Sequence, residues 1–202
     1  CKDTAYEPLG ELYDQSADIQ RLEAWLFARN VRLHQDVAQL MDGIHAEIVE
    51  AMTRKLEGEN LKGVLRLWFS NTYKQQNIDY RYGYLFQGRI VSSIDWERIV
   101  NAREFKQIIE ALKRTPYAEA VEAFDGPKIG NEGMFALETA LDRTWVRLLR
   151  TVVRRMHADE RTLVEKVLDR DADLKNIINL VRFGYVYEVP SDTLRTLMLE
   201  GG

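Results

Sequence analysis

Two segments of the sequence carry an acid, an amide and an arginine at the same spacing. The first holds Glu57, Asn60 and Arg66, and the second holds Asp173, Asn176 and Arg182. On an α-helix, residues i and i+3 share a face, so each acid lies beside its amide, and the arginine lies nearly two turns further on. Acid–base or covalent catalysis would also need a nucleophile or a base of suitable pKa, and neither segment offers one. We expect both sets to be structural, with the acid at a helix start and the amide and arginine tied to neighbouring elements.

The histidines and the cysteine offer no other reactive arrangement. His34 and His45 are separated by about three helical turns, whereas a helical metal pair needs i, i+4 spacing. His157 has only Asp159 and Glu160 beside it, and Cys1 is the single cysteine. Neither a serine or cysteine triad nor a thiolate metal site can be built from these residues. We therefore predict no catalytic residue, no metal and no cofactor.

Two further segments suggest ligand binding, but a structural role is expected for each. The run from residue 126 to 133 contains three glycines and Lys128 but lacks the Gly-Lys-Ser/Thr of a nucleotide cradle. The segment from residue 80 to 86 interleaves tyrosines with Arg81, a pattern that could stack single-stranded bases. We expect it to pack on the helices as a loop or short helix. With 28 basic and 32 acidic residues, the net charge of -4 also argues against nucleic acid as a partner.

A run of arginines is the most polarised feature of this acidic chain. The members that share one side of a predicted helix are Arg143, Arg147, Arg150 and Arg154, with Arg155 next to them. They lie largely opposite the apolar stripe of that helix. Such runs are commonly solvated surfaces, but this one could also dock an acidic partner. It is the candidate partner-docking site.

Hydrophobic periodicity predicts helices along most of the chain. The apolar pattern from residue 17 to 56 indicates two helices or one rod bent at Gly43. The other predicted helices span residues 59–73, a short segment capped by Asn101 and Glu104, another after Thr115-Pro116, and residues 135–156, 159–168 and 174–183. No convincing pair of strands occurs, and no apolar run is long enough to cross a membrane. The predicted fold class is all-α, built from antiparallel helices.

The chain also contains an internal repeat. Residues 57–66 match residues 173–182 at a constant offset of 116, the difference between 57 and 173. Upstream pairs such as Ile48 and Val164 keep the same offset, and Leu85-x-x-Gly88 resembles Met198-x-x-Gly201 after a three-residue gap. Duplicated helical modules usually pack side by side. We predict two related modules, residues 1–126 and 127–202, the second truncated.

The repeated motif resembles the C subunit of the archaeal and bacterial A/V-type rotary ATP synthases, whose family includes the d subunit of the vacuolar ATPase. The similarity covers residues 9 to 202 and includes Leu137-Glu138-x-x-Leu141-Asp142-x-x-Trp145. The chain departs from the family in being shorter, and Trp145 stands where Tyr or Phe is usual. It therefore looks like a central fragment of a longer subunit.

The resemblance implies a funnel of helical modules, pseudo-threefold in the complete subunit. It implies a non-catalytic rotor subunit that joins the membrane ring of a proton- or sodium-translocating ATPase to the central stalk subunits and transmits torque. The implied location is cytoplasmic, peripheral at the inner face of the cell membrane. In this interpretation the six residues of the repeated motif are structural.

Two alternatives stay open at the level of sequence. A chain that begins Cys1-Lys2-Asp3 could be a mature helical lipoprotein or ligand-binding module anchored through Cys1. A helical enzyme would need Glu57 and Asp173 to face each other in one pocket, and their separation into different modules argues against it.

Overall fold

The computed structural model describes residues 4–127, 129, 134–186 and 189–199, and in these ranges the protein is all-α, as predicted, without a strand. The α-helices are α1 (Glu7–Ser16), α2 (Ile19–Gln39), α3 (Gly43–Lys74), α4 (Asp79–Tyr82), α5 (Trp96–Val100), α6 (Phe105–Leu112), α7 (Ala118–Glu122), α8 (Phe135–Val153), α9 (Ala158–Asn179) and α10 (Ser191–Leu197). A π-helical segment, Leu180–Val186, continues α9. No helix within the described ranges is long and apolar enough to span a membrane.

The break between the first two long helices lies at Gly43, as the sequence predicts. Gly43 has a φ of +56°, a backbone conformation that glycine adopts without steric cost. Asp18 caps the N-terminus of α2 by accepting hydrogen bonds from the amides of Gln20 and Arg21. The two helices then pack as an antiparallel pair.

Two predicted interruptions of helices are wrong. The segments that were expected to be separate helices on either side of residue 57 form one continuous helix, α3, of 32 residues. The segments on either side of residue 171 likewise join in α9. Polar residues at these points do not end the helices, because they face neighbouring elements instead of capping a new start. At Gly63 the absence of a side chain lets Leu85 approach, since a Cβ there would lie 2.9 Å from Leu85 Cδ2.

The short helices differ from the prediction mainly in their starts. The predicted capping pair of Asn101 and Glu104 is wrong, because Glu104 is itself the N-cap of α6 and forms a capping box with Gln107. The helix after Pro116 begins at Ala118, and Thr115 Oγ1 accepts a hydrogen bond from the Tyr117 amide at 3.3 Å. The tyrosine-rich segment contains one helical turn, α4, consistent with the expected loop or short helix. The last helix, α10, was not predicted.

The main core lies between the second half of α3, the short helices and the start of α8. Its fully buried side chains include Leu61, Leu65, Trp68, Ile99, Ile108, Leu112, Tyr117, Leu137 and Leu141. A second, smaller cluster joins Ala51 of α3 to Trp145, Leu149 and Val153 of α8, with residues of α9 packed against it. α8 therefore contributes to both clusters and lies between the two longest helices.

The repeat extends to the helix starts. α2 begins at Ile19 and α8 at Phe135, which are again 116 residues apart, and each is followed by a long antiparallel helix. Helix α8 nevertheless packs extensively against α3 of the first pair. The division between residues 126 and 127, and a funnel with pseudo-threefold symmetry, stay predictions.

Candidate docking surfaces

The two asparagines of the repeated motif make the same contact in both copies. Asn60 Nδ2 donates to the Phe86 carbonyl at 2.8 Å, and Asn60 Oδ1 accepts from the Phe86 amide at 3.0 Å. Asn176 holds Leu199 in the same way, at 3.0 and 2.7 Å. The two residues held by the asparagines, Phe86 and Leu199, are 113 positions apart. This distance equals the repeat offset of 116 minus the predicted three-residue gap. These contacts support the alignment of the two loops, and the structural role expected of the asparagines stays a prediction.

Glu57 holds a second piece of the same connection. Its side chain is fully buried in the middle of α3 and accepts hydrogen bonds from the amides of Val91 and Ser92 and from Ser92 Oγ. Arg54 lies beside it, with Nη1 at 3.5 Å from Oε1. The expectation that this acid lies at a helix N-terminus is wrong, because α3 begins fourteen residues earlier, at Gly43. Its charge is balanced by donors of the connecting segment and by Arg54.

The second acid, Asp173, does not repeat these bonds within the described residues. Asp173 is partly buried on α9. By the loop offset of 113, the positions that correspond to Val91 and Ser92 would be 204 and 205, which are not part of the 202-residue sequence. The equivalence of the two motif copies therefore holds for the asparagines and is not seen for the acids. Glu57 bonds to Val91 and Ser92, and the division of the chain into two modules stays a prediction.

The arginines of the motif also differ. Arg66 makes a bidentate ion pair with Glu138 of α8, with both nitrogen–oxygen distances at 2.6 Å. This bond raises the pKa of Arg66 above its usual value, against the opposing effect of burial. Arg182 lies in the π-helical segment, with its guanidinium 5.5 Å from the Phe183 ring centroid. Arg66 thus links one repeated motif to the acidic helix pattern that the sequence analysis singled out.

A charged seam continues this link along α3 and α8. Lys62 donates to both Glu59 and Asp142 at 2.8 Å, and its side chain is only 7% exposed. Burial opposes the charge on Lys62, but the two carboxylates outweigh it and raise its pKa above the usual value. Further along, Glu47 of α3 pairs with both terminal nitrogens of Arg155. Polar contacts of this kind fix the register of the two helices.

Trp145 lies where three long helices meet. Its indole Nε1 donates to the Ala51 carbonyl of α3 at 3.0 Å. Lys55 of α3 and Lys175 of α9 both place their ammonium groups near the ring, at 5.1 and 4.4 Å from its centroid. Burial and the neighbouring Lys55 lower the pKa of Lys175. Asp171 partly offsets the repulsion, because it lies 3.6 Å from Lys55 and 3.7 Å from Lys175.

The predicted docking arginines line a groove of about 440 Å³ between α7, α8 and Leu199. Arg147 pairs with Glu119 at 2.8 Å, Arg150 pairs with Asp169 at 2.7 Å, and Arg143 donates to the Met198 carbonyl at 3.0 Å. Arg154 is exposed just beyond the end of α8. Sequence periodicity predicted that these arginines share one side of a helix, but it could not identify their partners, which lie on other elements. Whether the arginines dock a partner stays a prediction.

No feature of a reactive centre accompanies these surfaces in the described part of the chain. Within those ranges, no group of three or more His, Cys, Asp or Glu side chains is placed to hold a metal ion. His45 lies 3.4 Å from Glu160, and His34 Nδ1 lies 2.9 Å from the Asn30 carbonyl. Cys1, most of the glycine run and Gly201-Gly202 lie outside the described residues.

Comparison with known proteins places the chain in a family. A model of the ATP synthase (C/AC39) subunit family matches residues 2–202. The chain belongs to this family. The resemblance found from the repeated motif is thereby confirmed.

Three relatives, each named as the C subunit of an A-type ATP synthase, support this membership. The protein of Methanosarcina barkeri is 27% identical over 175 residues, which cover 86% of the chain and 46% of the relative. The proteins of Methanosarcina mazei and Methanosarcina acetivorans are 31% and 29% identical, each over 98 residues that cover 48% of the chain and 26% of the relative. The chain thus matches about half, or less, of the length of these curated relatives. No solved structure gives a significant match.

Proposed function

We propose that this member of the C/AC39 family is a non-catalytic rotor subunit of a proton- or sodium-translocating A/V-type ATPase. It joins the membrane ring to the central stalk subunits at the inner face of the cell membrane and transmits torque between them. The family match over residues 2–202 is the observation that carries the proposal. It gives no support to the lipoprotein alternative.

The architecture suits a part that transmits force. Long helices are packed against each other through apolar clusters and through the Arg66–Glu138 and Lys62–Asp142 ion pairs. Close-packed interiors have low compressibility and transmit strain. A body of this kind can pass torque on without performing any chemistry itself.

The test is a pull-down of the tagged protein from detergent-solubilised membranes of an organism that carries it. Ring and central stalk subunits are expected to be recovered together at low salt and to be released at high salt, because exposed charge pairs are screened over about 8 Å at physiological ionic strength. Recovery of neither set of subunits at low salt would contradict the rotor role. Recovery that does not depend on salt would contradict the proposed electrostatic docking.

A further inference from the structure

We infer that the groove between α7 and α8 binds an acidic α-helical segment of another protein. The inference extends the proposed function by naming the chemistry of a partner surface. It rests on that proposal only for the identity of the protein that supplies the helix.

The arginines form a ladder with helical spacing. Arg143, Arg147, Arg150 and Arg154 follow each other at intervals of four, three and four residues, so they share one side of α8 over roughly 16 Å. Carboxylates on one face of a second helix recur at the same intervals. A helix lying along α8 could therefore place carboxylates near Arg143, Arg147 and Arg154, whereas Arg150 is 20% exposed and already pairs with Asp169.

The groove is positive although the chain is negative. Four arginines and one acid, Glu119, line it, and Asp169 of α9 pairs with Arg150 from outside, so a net positive charge remains, whereas the whole chain carries a net charge of -4. Arg147 is 56% exposed and bonds Glu119 through Nη2, and Glu119 is itself 77% exposed, so this pair can rearrange at little cost. Local charge of one sign in a groove attracts a partner of opposite sign and orients it.

The remaining lining favours a protein helix over a nucleic acid. Apolar side chains, mostly small, lie between and beside the arginines, namely Ala120, Ala123, Ala140, Val146 and Leu199. Interfaces between proteins combine such apolar contact with polar pairs at the rim. None of the described residues lining this groove is aromatic, whereas single-stranded nucleic acid commonly binds by stacking on aromatic side chains.

Two synthetic peptides test the groove directly. The probe is a labelled alanine-based helix with glutamates at positions i, i+4, i+7 and i+11, and the matched peptide has glutamine at these positions. Fluorescence anisotropy at low salt is expected to show binding of the acidic peptide, at least about ten-fold tighter than that of the glutamine peptide. Equal affinities, or no binding of the acidic peptide, would overturn the inference.

A pair of charge-reversed variants locates the binding. The double substitution Arg147→Glu with Arg154→Glu is expected to weaken binding about ten-fold or more, because two attractions become repulsions. Arg29→Glu with Arg32→Glu changes the net charge equally at exposed positions of α2 and should leave binding nearly unchanged. Circular dichroism and urea unfolding check that both variants fold.

Two other outcomes would also overturn the inference. Equal weakening by the two double variants would show attraction to the whole chain instead of the groove. Tighter binding of a single-stranded DNA oligonucleotide than of the acidic peptide would assign the groove to nucleic acid. A negative peptide result leaves the pull-down of ring and stalk subunits unaffected, so the two proposals fail separately.

Discussion

At the scale of single residues, Asn60 and Asn176 make the most similar contacts in the two copies of the repeated motif. Each uses both ends of its amide to hold one backbone position of the following loop. An amide is the only short neutral side chain with a donor and an acceptor side by side, so neither Asp nor Leu could replace it fully. This chemistry accounts for the matching contacts of the two asparagines.

Replacement of either asparagine should lower stability by a similar amount. Asn60→Ala and Asn176→Ala each remove two hydrogen bonds and leave a backbone amide and carbonyl without their partner, at an expected cost of about 1–3 kcal/mol. Urea unfolding measures the change in the free energy of unfolding. Asn71→Ala, at an exposed position of α3, is the control and should change it by less than about 0.5 kcal/mol. A neutral Asn60→Ala would contradict the clamp.

The buried Lys62 and the partly buried Lys175, both beside α8, should respond differently to removal of their charge. At pH 7, Lys62→Met is expected to destabilise strongly, since Asp142 and Glu59 lose their shared partner. Lys175→Met should cost much less or even stabilise, because burial and Lys55 already disfavour its charge. Urea unfolding of both variants at one pH checks this contrast.

The pH dependence of stability tests the contribution of Lys62 separately. Because the folded pKa of Lys62 lies above its unfolded value, its contribution is complete below the unfolded pKa of about 10.4 and is lost as pH rises through the folded pKa. The stability difference between the wild type and Lys62→Met should therefore shrink in strongly alkaline solution. A difference that grows with pH would contradict the ion-pair assignment.

At the scale of elements, periodicity identified the long helices but misjudged their continuity. Helix α3 runs through Glu57, which was expected near a helix start, and on through Gly63. The contacts that account for these two residues are made with other parts of the chain. Glu57 binds the segment at residues 91–92, and Gly63 makes room for Leu85. In the second half of α8 the buried apolar side chains are those of Leu149 and Val153, which pack against Ala51 of α3. Information of this kind is tertiary, and a single sequence does not contain it in readable form.

The helix α9 and its π-helical extension carry an unusually apolar exposed face. Large apolar side chains that are at least half exposed recur along it, namely Leu163, Val167, Leu174, Ile177, Ile178, Val181 and Tyr185. On α3, the positions that correspond to Val167 and Ile178 are Ala51 and Lys62, which contact α8. A contiguous apolar face of this size on a protein surface favours association.

The isolated chain is therefore expected to self-associate as its concentration rises. Leu174→Gln with Ile178→Gln should shift sedimentation toward the monomer and reduce binding of a hydrophobic dye, with little loss of stability. Leu33→Gln on α2 with Leu40→Gln at its C-cap, both at exposed positions, is the matched control and should have less effect. Unchanged self-association in the first variant would show that this face is not responsible.

At the scale of the whole molecule, Trp145 is the contact that joins the parts. It touches α3 through Ala51 and Lys55, and α9 through Lys175. The sequence identified this tryptophan as part of a motif, but its role in joining the parts depends on the packing of three helices and could not be deduced from spacing. The same holds for Glu138 and Asp142, which proved to be the partners of Arg66 and Lys62.

Removal of Trp145 should weaken both helical pairs together. Trp145→Ala is expected to cost about 3–5 kcal/mol and to lower amide hydrogen-exchange protection in α3 and α9 by a similar factor. Trp25→Ala, which changes a half-buried tryptophan of α2 beside Tyr6, should affect mainly the N-terminal helices. Loss of protection in α9 with α3 unchanged would show that the modules unfold separately.

The position of α8 between α3 and α9 has a mechanical consequence. Two bodies joined only by a loop can turn about it, but the α3–α8 and α8–α9 contacts share helix α8 and have no such joint. Any twist between α3 and α9 must slide α8 past ion pairs and an indole that fit in a single register. Under load, α3, α8 and α9 are expected to move together as one rigid unit.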